Sequence, residues 1–159
     1  MTIKFQLDSS YKQKILINRK DASEDIRSEE CGTNASIIAK YERIRNDMIS
    51  FQRNFLKKPG LIADGRDMGT VVFSDSKIKI FLTADVDVRA KRRYKELKEK
   101  GINVSLAAVL SDMKIRDKQD KERKHGPLTM AHDSILVDST NKSIDIVVSE
   151  ILKYYENMY

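Results

Sequence analysis

The segment from Asp64 to Gly69 carries residue types that can recognise a small polar ligand. It reads Asp-Gly-Arg-Asp-Met-Gly, so two carboxylates and a guanidinium lie beside two glycines that allow close approach of the backbone. The apolar run Leu61-Ile62-Ala63 precedes it and predicts a short buried strand. Ligands of open α/β sheets bind beyond the carboxyl ends of strands, which is where this segment would lie. A tight turn, in which Asp and Gly serve only backbone geometry, is the alternative.

A second group of charged residues has helical spacing. Arg116, Asp120 and Arg123 are spaced i, i+4 and i+7, which places them on one face of a helix. Two guanidinium groups beside a carboxylate suit a phosphorylated sugar, because arginine binds phosphate oxygens through paired hydrogen bonds and aspartate accepts from hydroxyls. A solvated charged face is the competing interpretation.

A phosphate-binding loop of the G-x-x-x-x-G-K-[ST] type is not found in the sequence. Gly60 and Gly65 have the right separation, but the residues between them are the predicted strand. Arg66 then replaces the lysine, and Asp67 would bring a negative charge to the position of the Mg²⁺-binding hydroxyl. No other glycine pair in the sequence fits this motif, so no residue is assigned to the binding of a phosphate donor.

Composition limits the function classes further. The chain has 159 residues, a net charge of +6 and a pI near 9.3, which indicate one domain with anionic partners. Cys31 is the single cysteine, and the sequence shows neither a signal peptide nor an apolar run of membrane-spanning length, so we expect a cytoplasmic protein. His125 and His132 are isolated, and no metal site is assigned to protein side chains.

RNA binding is the alternative suggested by the basic charge. The segment from Arg89 to Lys100 is rich in Arg and Lys, yet Tyr94 is its one aromatic residue. Single-strand binding combines basic grooves with several stacking aromatics, so a solvated helix face is favoured and nucleic acid is not the expected partner. Steep salt dependence of RNA affinity would be the signature of this alternative.

The predicted elements of the first third of the chain are a hairpin and a helix. Alternating apolar residues at Ile3, Phe5 and Leu7, followed by the run at 14–17, predict two paired strands. From Ala35 to Phe55 the apolar residues recur every three or four positions, which predicts one long helix that ends before Pro59-Gly60.

The remainder of the chain alternates strands and helices. Strands are predicted at 77–82 and 134–138, and helices at 85–100, from Ser105 to about 124, and at 144–155. Gly101 and Ser105 are the expected caps between the first two of these helices. This alternation favours an α/β fold with a mainly parallel sheet.

The sequence resembles the bacterial cytidylate kinases, which are P-loop nucleoside monophosphate kinases. The resemblance rests chiefly on PGLIADGRDMGTVVF at 59–73 and continues through KIFLTA at 79–84, IRDKQDKER at 115–123 and LVDST at 136–140. It implies a three-layer α/β fold that is built on a parallel sheet. It further implies a nucleotide monophosphate-binding insert at 1–57, core strands and helices at 58–159, and a helical lid at about 105–126.

The resemblance also implies a function and roles for particular residues. We expect ATP-dependent phosphorylation of CMP or dCMP with Mg²⁺. Seven residues would bind the acceptor nucleotide: Ser36, Arg45, Arg66, Asp67, Arg116, Asp120 and Arg123. Ser36, Arg45 and Asp67 would read the cytosine ring. Arg116 and Asp120 would hold the ribose and neighbouring phosphates, and the arginines at 66, 116 and 123 would carry the catalytic role.

The chain departs from the family pattern at its start, where the strand and phosphate loop of the family have no counterpart in this sequence. We therefore expect an N-terminally truncated member that is a poor kinase alone, because the cradle for the ATP phosphates is not supplied. The alternative is a non-catalytic CMP-binding remnant, or a subunit whose sheet is completed by a partner chain. Unpaired strand edges would favour such a partner.

Overall fold

The N-terminal part of the chain forms a small antiparallel sheet. The computed structural model describes residues 2–10 and 12–158. Strand β1 (Ile3–Leu7) pairs with β2 (Gln13–Ile17), with Ile3 opposite Ile17 and Phe5 opposite Ile15. The predicted hairpin is confirmed. A third strand, β3 (Lys20–Asp21), pairs with β2 after a turn and was not predicted because two polar residues carry no alternating pattern.

Two helices replace the one long helix predicted from Ala35 to Phe55. Helix α1 spans Glu29–Ile38 and begins earlier than predicted, because the Ser28 hydroxyl accepts the Cys31 amide hydrogen and caps it. The chain becomes extended at Tyr41 and restarts as α2, which spans Glu42–Arg53. The two helices have different neighbours: α1 contacts the helix that follows Ser105, whereas α2 contacts the turn at 68–72. A continuous apolar period cannot reveal such a change of direction.

The strand predicted at Leu61-Ile62-Ala63 is wrong. These residues have no regular secondary structure, and Ile62 is fully exposed. No strand among the described residues lies beside them to supply ladder hydrogen bonds, which is what defines a strand. After them, Met68–Val72 forms one turn of π-helix, in which the Val72 and Phe73 amides donate to carbonyls five residues earlier.

The second sheet is parallel, as predicted. Strand β4 (Ile80–Thr83) pairs with β5 (Ile135–Asp138), with Ile80 opposite Ile135 and Thr83 opposite Asp138. Helices α3 (Val86–Glu99) and α4 (Leu106–Glu122) lie between them in the chain and pack on each other. Their common core contains Ala90, Leu97 and Val109. The expected Ser105 cap accepts the Ala108 amide hydrogen, and Gly101 has the positive φ of +75° typical of a helix end.

Helix α5 (Ile144–Glu156) completes the chain. Its Ser143 cap accepts the Ile146 amide hydrogen, but most of its apolar residues stay exposed, Ile144 by 81%. Parallel strands with intervening helices give the predicted α/β class, which is consistent with the fold of the nucleoside monophosphate kinases. None of the helices described is long and apolar enough to cross a membrane.

Candidate functional site

Asp67 is the centre of a group of charged side chains. It immediately precedes the π-helix and is 6% exposed. Its Oδ2 accepts a hydrogen bond from Arg45 of α2, and its Oδ1 lies 3.9 Å from Nη2 of Arg123 at the end of α4. The segment 64–69 is therefore more than a backbone turn, because its second carboxylate is buried against two arginines from distant parts of the sequence.

Asp120 is the second buried carboxylate of this group. Its Oδ2 accepts a hydrogen bond of 2.8 Å from Nε of Arg66, and its Oδ1 lies 3.7 Å from Nη1 of Arg123. Arg123 thus lies between the two carboxylates. We call the five residues Arg45, Arg66, Asp67, Asp120 and Arg123 the Arg–Asp cluster. The solvated-face interpretation of the α4 residues is wrong for Asp120 and Arg123, whose side chains are each 7% exposed.

The backbone beyond α4 closes around Arg123. The helix ends at Glu122, and Arg123 itself is extended, with φ −64° and ψ 140°. Its Nε donates to the Gly126 carbonyl, while the Leu128 amide donates to the Asp120 carbonyl at 2.7 Å. Gly126 has φ +57°, and a Cβ there would lie 2.8 Å from Oδ2 of Asp67. The Gly-Pro pair after a charged helix predicts a turn at this point, but sequence reasoning missed the close approach of Gly126 to the cluster.

The charge balance of the cluster leaves it one positive charge in excess, since three arginines meet two aspartates. Burial and the neighbouring Arg45 charge lower the pKa of Arg123 below its ordinary value, against the opposing effect of Asp120 and Asp67. An incoming anion would relieve this imbalance. The carboxylates can accept from an amine or a hydroxyl, and the guanidinium groups can donate to phosphate oxygens.

Arg116 and Ser36, the other two predicted residues, lie on α4 and α1, and these two helices contact each other. The guanidinium of Arg116 on α4 packs against Gly32 of α1, with Nη2 3.1 Å from the position that a Cβ of Gly32 would take. Ser36 is half-buried one helical turn after Gly32 and therefore lies on the same face of α1. The contacts described above thus join five of the seven predicted residues, and the remaining two lie on the contacting helices α1 and α4.

The basic face of α3 was predicted to be solvated, and Arg92 is exposed as predicted, but Arg92 and the partly buried Arg89 also make specific contacts with neighbouring segments. Arg89 forms a double hydrogen bond with Asp117 of α4, at 2.6 and 3.2 Å, and its Nε also donates to the Ala84 carbonyl. Arg92 donates to the Ser139 carbonyl at 2.6 Å after β5. These pairs tie α3 to its neighbours and fix α4, which carries part of the cluster. Local residue patterns do not predict these pairs, because the partners lie 28 and 47 positions apart in the chain.

Lys79 is a buried cation that sequence reasoning also missed. It is 8% exposed, and its Nζ donates to the Ser74 carbonyl at 2.7 Å and to Asp133 Oδ2 at 2.6 Å. Its methylene groups lie close to Gly69 in the π-helix. The hydrogen bond from Lys79 lowers the pKa of the Asp133 carboxyl. Lys79 therefore anchors the segment that follows the cluster's loop to the strand pair β4–β5.

The residues present do not fit the phosphates of a nucleoside triphosphate. The 159-residue sequence has no G-x-x-x-x-G-K-[ST] segment, whose backbone would cradle those phosphates and whose hydroxyl would bind their Mg²⁺. Among the described residues, no group of three or more His, Cys, Asp or Glu side chains could hold a metal ion by itself. These residues can bind a phosphorylated molecule that carries a base or a sugar.

Comparison with known proteins agrees with this chemistry. Residues 1–157 match the model of the family described as cytidylate kinase. A cytidylate kinase of Aeromonas salmonicida is 46% identical over 156 residues, which are 98% of this chain and 67% of that protein. Those of Nitrosomonas europaea and Pseudomonas aeruginosa are 47% and 46% identical, over 89% and 94% of this chain and 63% and 65% of their own lengths.

The chain thus spans about two thirds of the length of the curated relatives it matches. The family match over residues 1–157 includes the segments that form the Arg–Asp cluster. The chain belongs to the cytidylate kinase family.

Proposed function

We propose that this chain provides the acceptor-nucleotide site for ATP-dependent phosphorylation of CMP or dCMP to the diphosphate. The observation that carries the proposal is the Arg–Asp cluster. Its two buried carboxylates and three arginines come from three separate segments of the chain and form ion pairs with one another. Its chemistry suits a nucleotide that presents both an exocyclic amine and a phosphate.

Within this proposal, Asp67 reads the base. Its carboxylate can accept from the exocyclic amine of cytosine, which uracil lacks, and Arg45 fixes the orientation of that carboxylate. Ser36 supplies a hydroxyl from α1. A carboxylate that is already buried and oriented discriminates well, because a ligand without the amine would leave one of its acceptor positions without a donor.

The remaining residues hold the phosphorylated sugar. Asp120 accepts from a ribose hydroxyl, and Arg66, Arg116 and Arg123 donate to the phosphate. Phosphoryl transfer depends on positioning and on charge neutralisation more than on covalent chemistry, so arginines that fix the acceptor phosphate contribute directly to it. Arg66 is 46% exposed in its side chain and is the member of the cluster best placed to reach a ligand from solvent.

ATP would supply the transferred phosphoryl group, with Mg²⁺ neutralising its charge. The residues present do not fit that group, as described above, so the donor site requires residues beyond these 159. We therefore expect the 159-residue polypeptide alone to bind CMP and to be a poor kinase, because each lost element of charge stabilisation removes roughly 10²–10³ in rate.

The test combines binding and turnover on the purified polypeptide. Isothermal titration with CMP should show saturable binding, and CDP formation from ATP, Mg²⁺ and CMP should fall far below the roughly 1–100 s⁻¹ of ordinary kinases. Turnover at ordinary rates would overturn the proposed lack of a donor site. A folded protein without CMP affinity would overturn the acceptor site itself.

A second candidate is a non-catalytic CMP-binding protein, or a subunit completed by a partner chain that carries a phosphate loop. The exposed apolar side chains of the parallel strand pair favour it, since Leu82 and Leu136 are 56% and 55% exposed. Light scattering distinguishes this candidate. A stable monomer that stays a poor kinase when mixed with a phosphate-loop fragment of a relative argues against the partner.

A further inference from the structure

Arg53 contacts the far end of the π-helix from the same helix that carries Arg45. Its Nε donates to the Val72 carbonyl at 2.6 Å, and its Nη2 donates to the Val71 carbonyl at 3.2 Å. These carbonyls belong to the last two residues of the π-helix, where no following turn continues to satisfy them. The Arg53 guanidinium thus donates to carbonyls that the amides of a following helical turn would otherwise satisfy.

Arg45 and Arg53 are eight residues apart on α2 and bracket the π-helix. Arg45 pairs with the Asp67 carboxylate just before Met68, whereas Arg53 holds the carbonyls of Val71 and Val72. Between these two contacts, the Val71 and Val72 amides donate to the Asp67 carbonyl at 2.9 and 3.2 Å. The backbone of Asp67 is therefore linked to the Arg53 contact by a single hydrogen-bonded turn.

We propose that Arg53 is a positioning residue that fixes the Asp67 carboxylate for recognition of the nucleotide base. The inference rests on the proposed function, because it assigns to Asp67 the reading of cytosine. A π-turn is a weakly stabilised element, and such turns occur often at functional sites. Two contacts from one rigid helix keep this turn, and the carboxylate that precedes it, in register with Arg45 and Arg123.

Three substitutions at exposed arginines of α2 test this role. Arg53 is exposed, so Arg53→Met removes the contacts to two carbonyls without opening the core. Arg53→Lys keeps the charge but not the two-pronged geometry, and should give an intermediate effect. Arg43→Met, at an exposed arginine of the same helix, is the matched control.

The first measurement needs no ligand. Amide hydrogen exchange followed by NMR should be about 5- to 10-fold faster at Val71 and Val72 in Arg53→Met than in the parent or the Arg43 control. Amides of the β4–β5 pair, such as Ile135, report global stability and should not change. Unchanged exchange at Val71 and Val72 would overturn the inference, whatever the protein binds.

The second measurement compares affinity for CMP and for UMP by titration. We expect Arg53→Met to lower the ratio of CMP to UMP affinity about 5-fold, while the control keeps it, and to lower it no further in a protein that already carries Asp67→Asn. An unchanged ratio beside faster exchange would overturn the assigned role in base reading. If the parent protein binds neither nucleotide, the proposed function fails, and the exchange rates alone decide whether Arg53 fixes the Asp67 turn.

Discussion

The Arg–Asp cluster buries charged side chains, whereas the region formed by β4, β5 and α5 exposes apolar ones. In the cluster, charged side chains such as Asp67 and Arg123 are nearly inaccessible and have partners within the chain. In the second region, apolar side chains such as Leu82, Leu136 and Ile144 are more than half exposed. The proposed acceptor site is therefore assembled by contacts inside this chain, whereas the parallel strand pair exposes an apolar face.

The largest effect should come from Asp67→Asn, which attacks the cluster at its centre. The variant leaves Arg45 and Arg123 without their shared carboxylate, and removing one partner of a buried ion pair costs about 3–5 kcal/mol of unfolding free energy. CMP affinity should fall about 10- to 100-fold. Urea unfolding and titration calorimetry measure these quantities. Asp47→Asn, at an exposed aspartate of α2, is the control, and equal losses in both variants would contradict a special role for Asp67.

Arg123→Met separates phosphate recognition from base recognition. Since Arg123 is proposed to hold the phosphate, the variant should bind CMP about 10- to 100-fold more weakly and bind cytidine almost as well as the parent does. Parallel titrations with CMP and cytidine give the ratio. Loss of both affinities in equal proportion, with no change in Arg43→Met, would show that Arg123 supports the cluster as a whole and not the phosphate.

The apolar region is tested by two neighbouring residues of β5. Val137 is fully buried, whereas Leu136 on the opposite face is 55% exposed. Val137→Ala should cost about 2 kcal/mol in unfolding free energy from lost burial and the cavity left behind. Leu136→Ala should stay within about 0.5 kcal/mol. A cost at Leu136 as large as that at Val137 would mean that this face is covered in solution. The contrast between the Arg–Asp cluster and an exposed apolar face would then be wrong.

The smallest effect should be the pH dependence of the stability that the Lys79–Asp133 pair contributes. Because the Lys79 hydrogen bond lowers the pKa of Asp133 in the folded state, the pair stabilises the protein above the unfolded pKa of Asp133. This contribution is lost as the pH falls through the lower, folded pKa. Carbon-13 NMR titration should show the Asp133 pKa returning upward in Lys79→Met.

The Asp133→Asn variant provides the complementary measurement. Its stability deficit relative to the parent should disappear at pH values below the folded pKa of Asp133, because both proteins are then neutral at that position. A deficit that does not depend on pH would assign the role of Asp133 to packing and not to its charge.

Sequence reasoning anticipated the chemistry of the site better than the path of the backbone. Asp67 and Arg123 were identified from residue types and helical spacing, and the structure buries both. The break between α1 and α2 was missed, because Ile37, Tyr41 and Ile44 continue one apolar period across the point where the chain turns. Periodicity records which face is apolar and contains no information about the element on which that face packs.

Pairs of distant residues were beyond prediction for a related reason. Arg53 lies 18 and 19 positions from the carbonyls it contacts, and Lys79 lies 54 positions from Asp133. Such contacts depend on the tertiary arrangement, which local patterns do not encode. The strand predicted at 61–63 failed because a strand needs a neighbour, and apolar composition alone does not provide one.

We propose that these 159 residues already contain a specific site for cytidine monophosphate. The most direct test of this claim is calorimetric titration of the purified chain with CMP, with UMP and cytidine as reference ligands. We predict saturable CMP binding that is stronger than binding of either reference and is about 10- to 100-fold weaker in Asp67→Asn. A folded chain that binds all three ligands equally, or none of them, would contradict the claim.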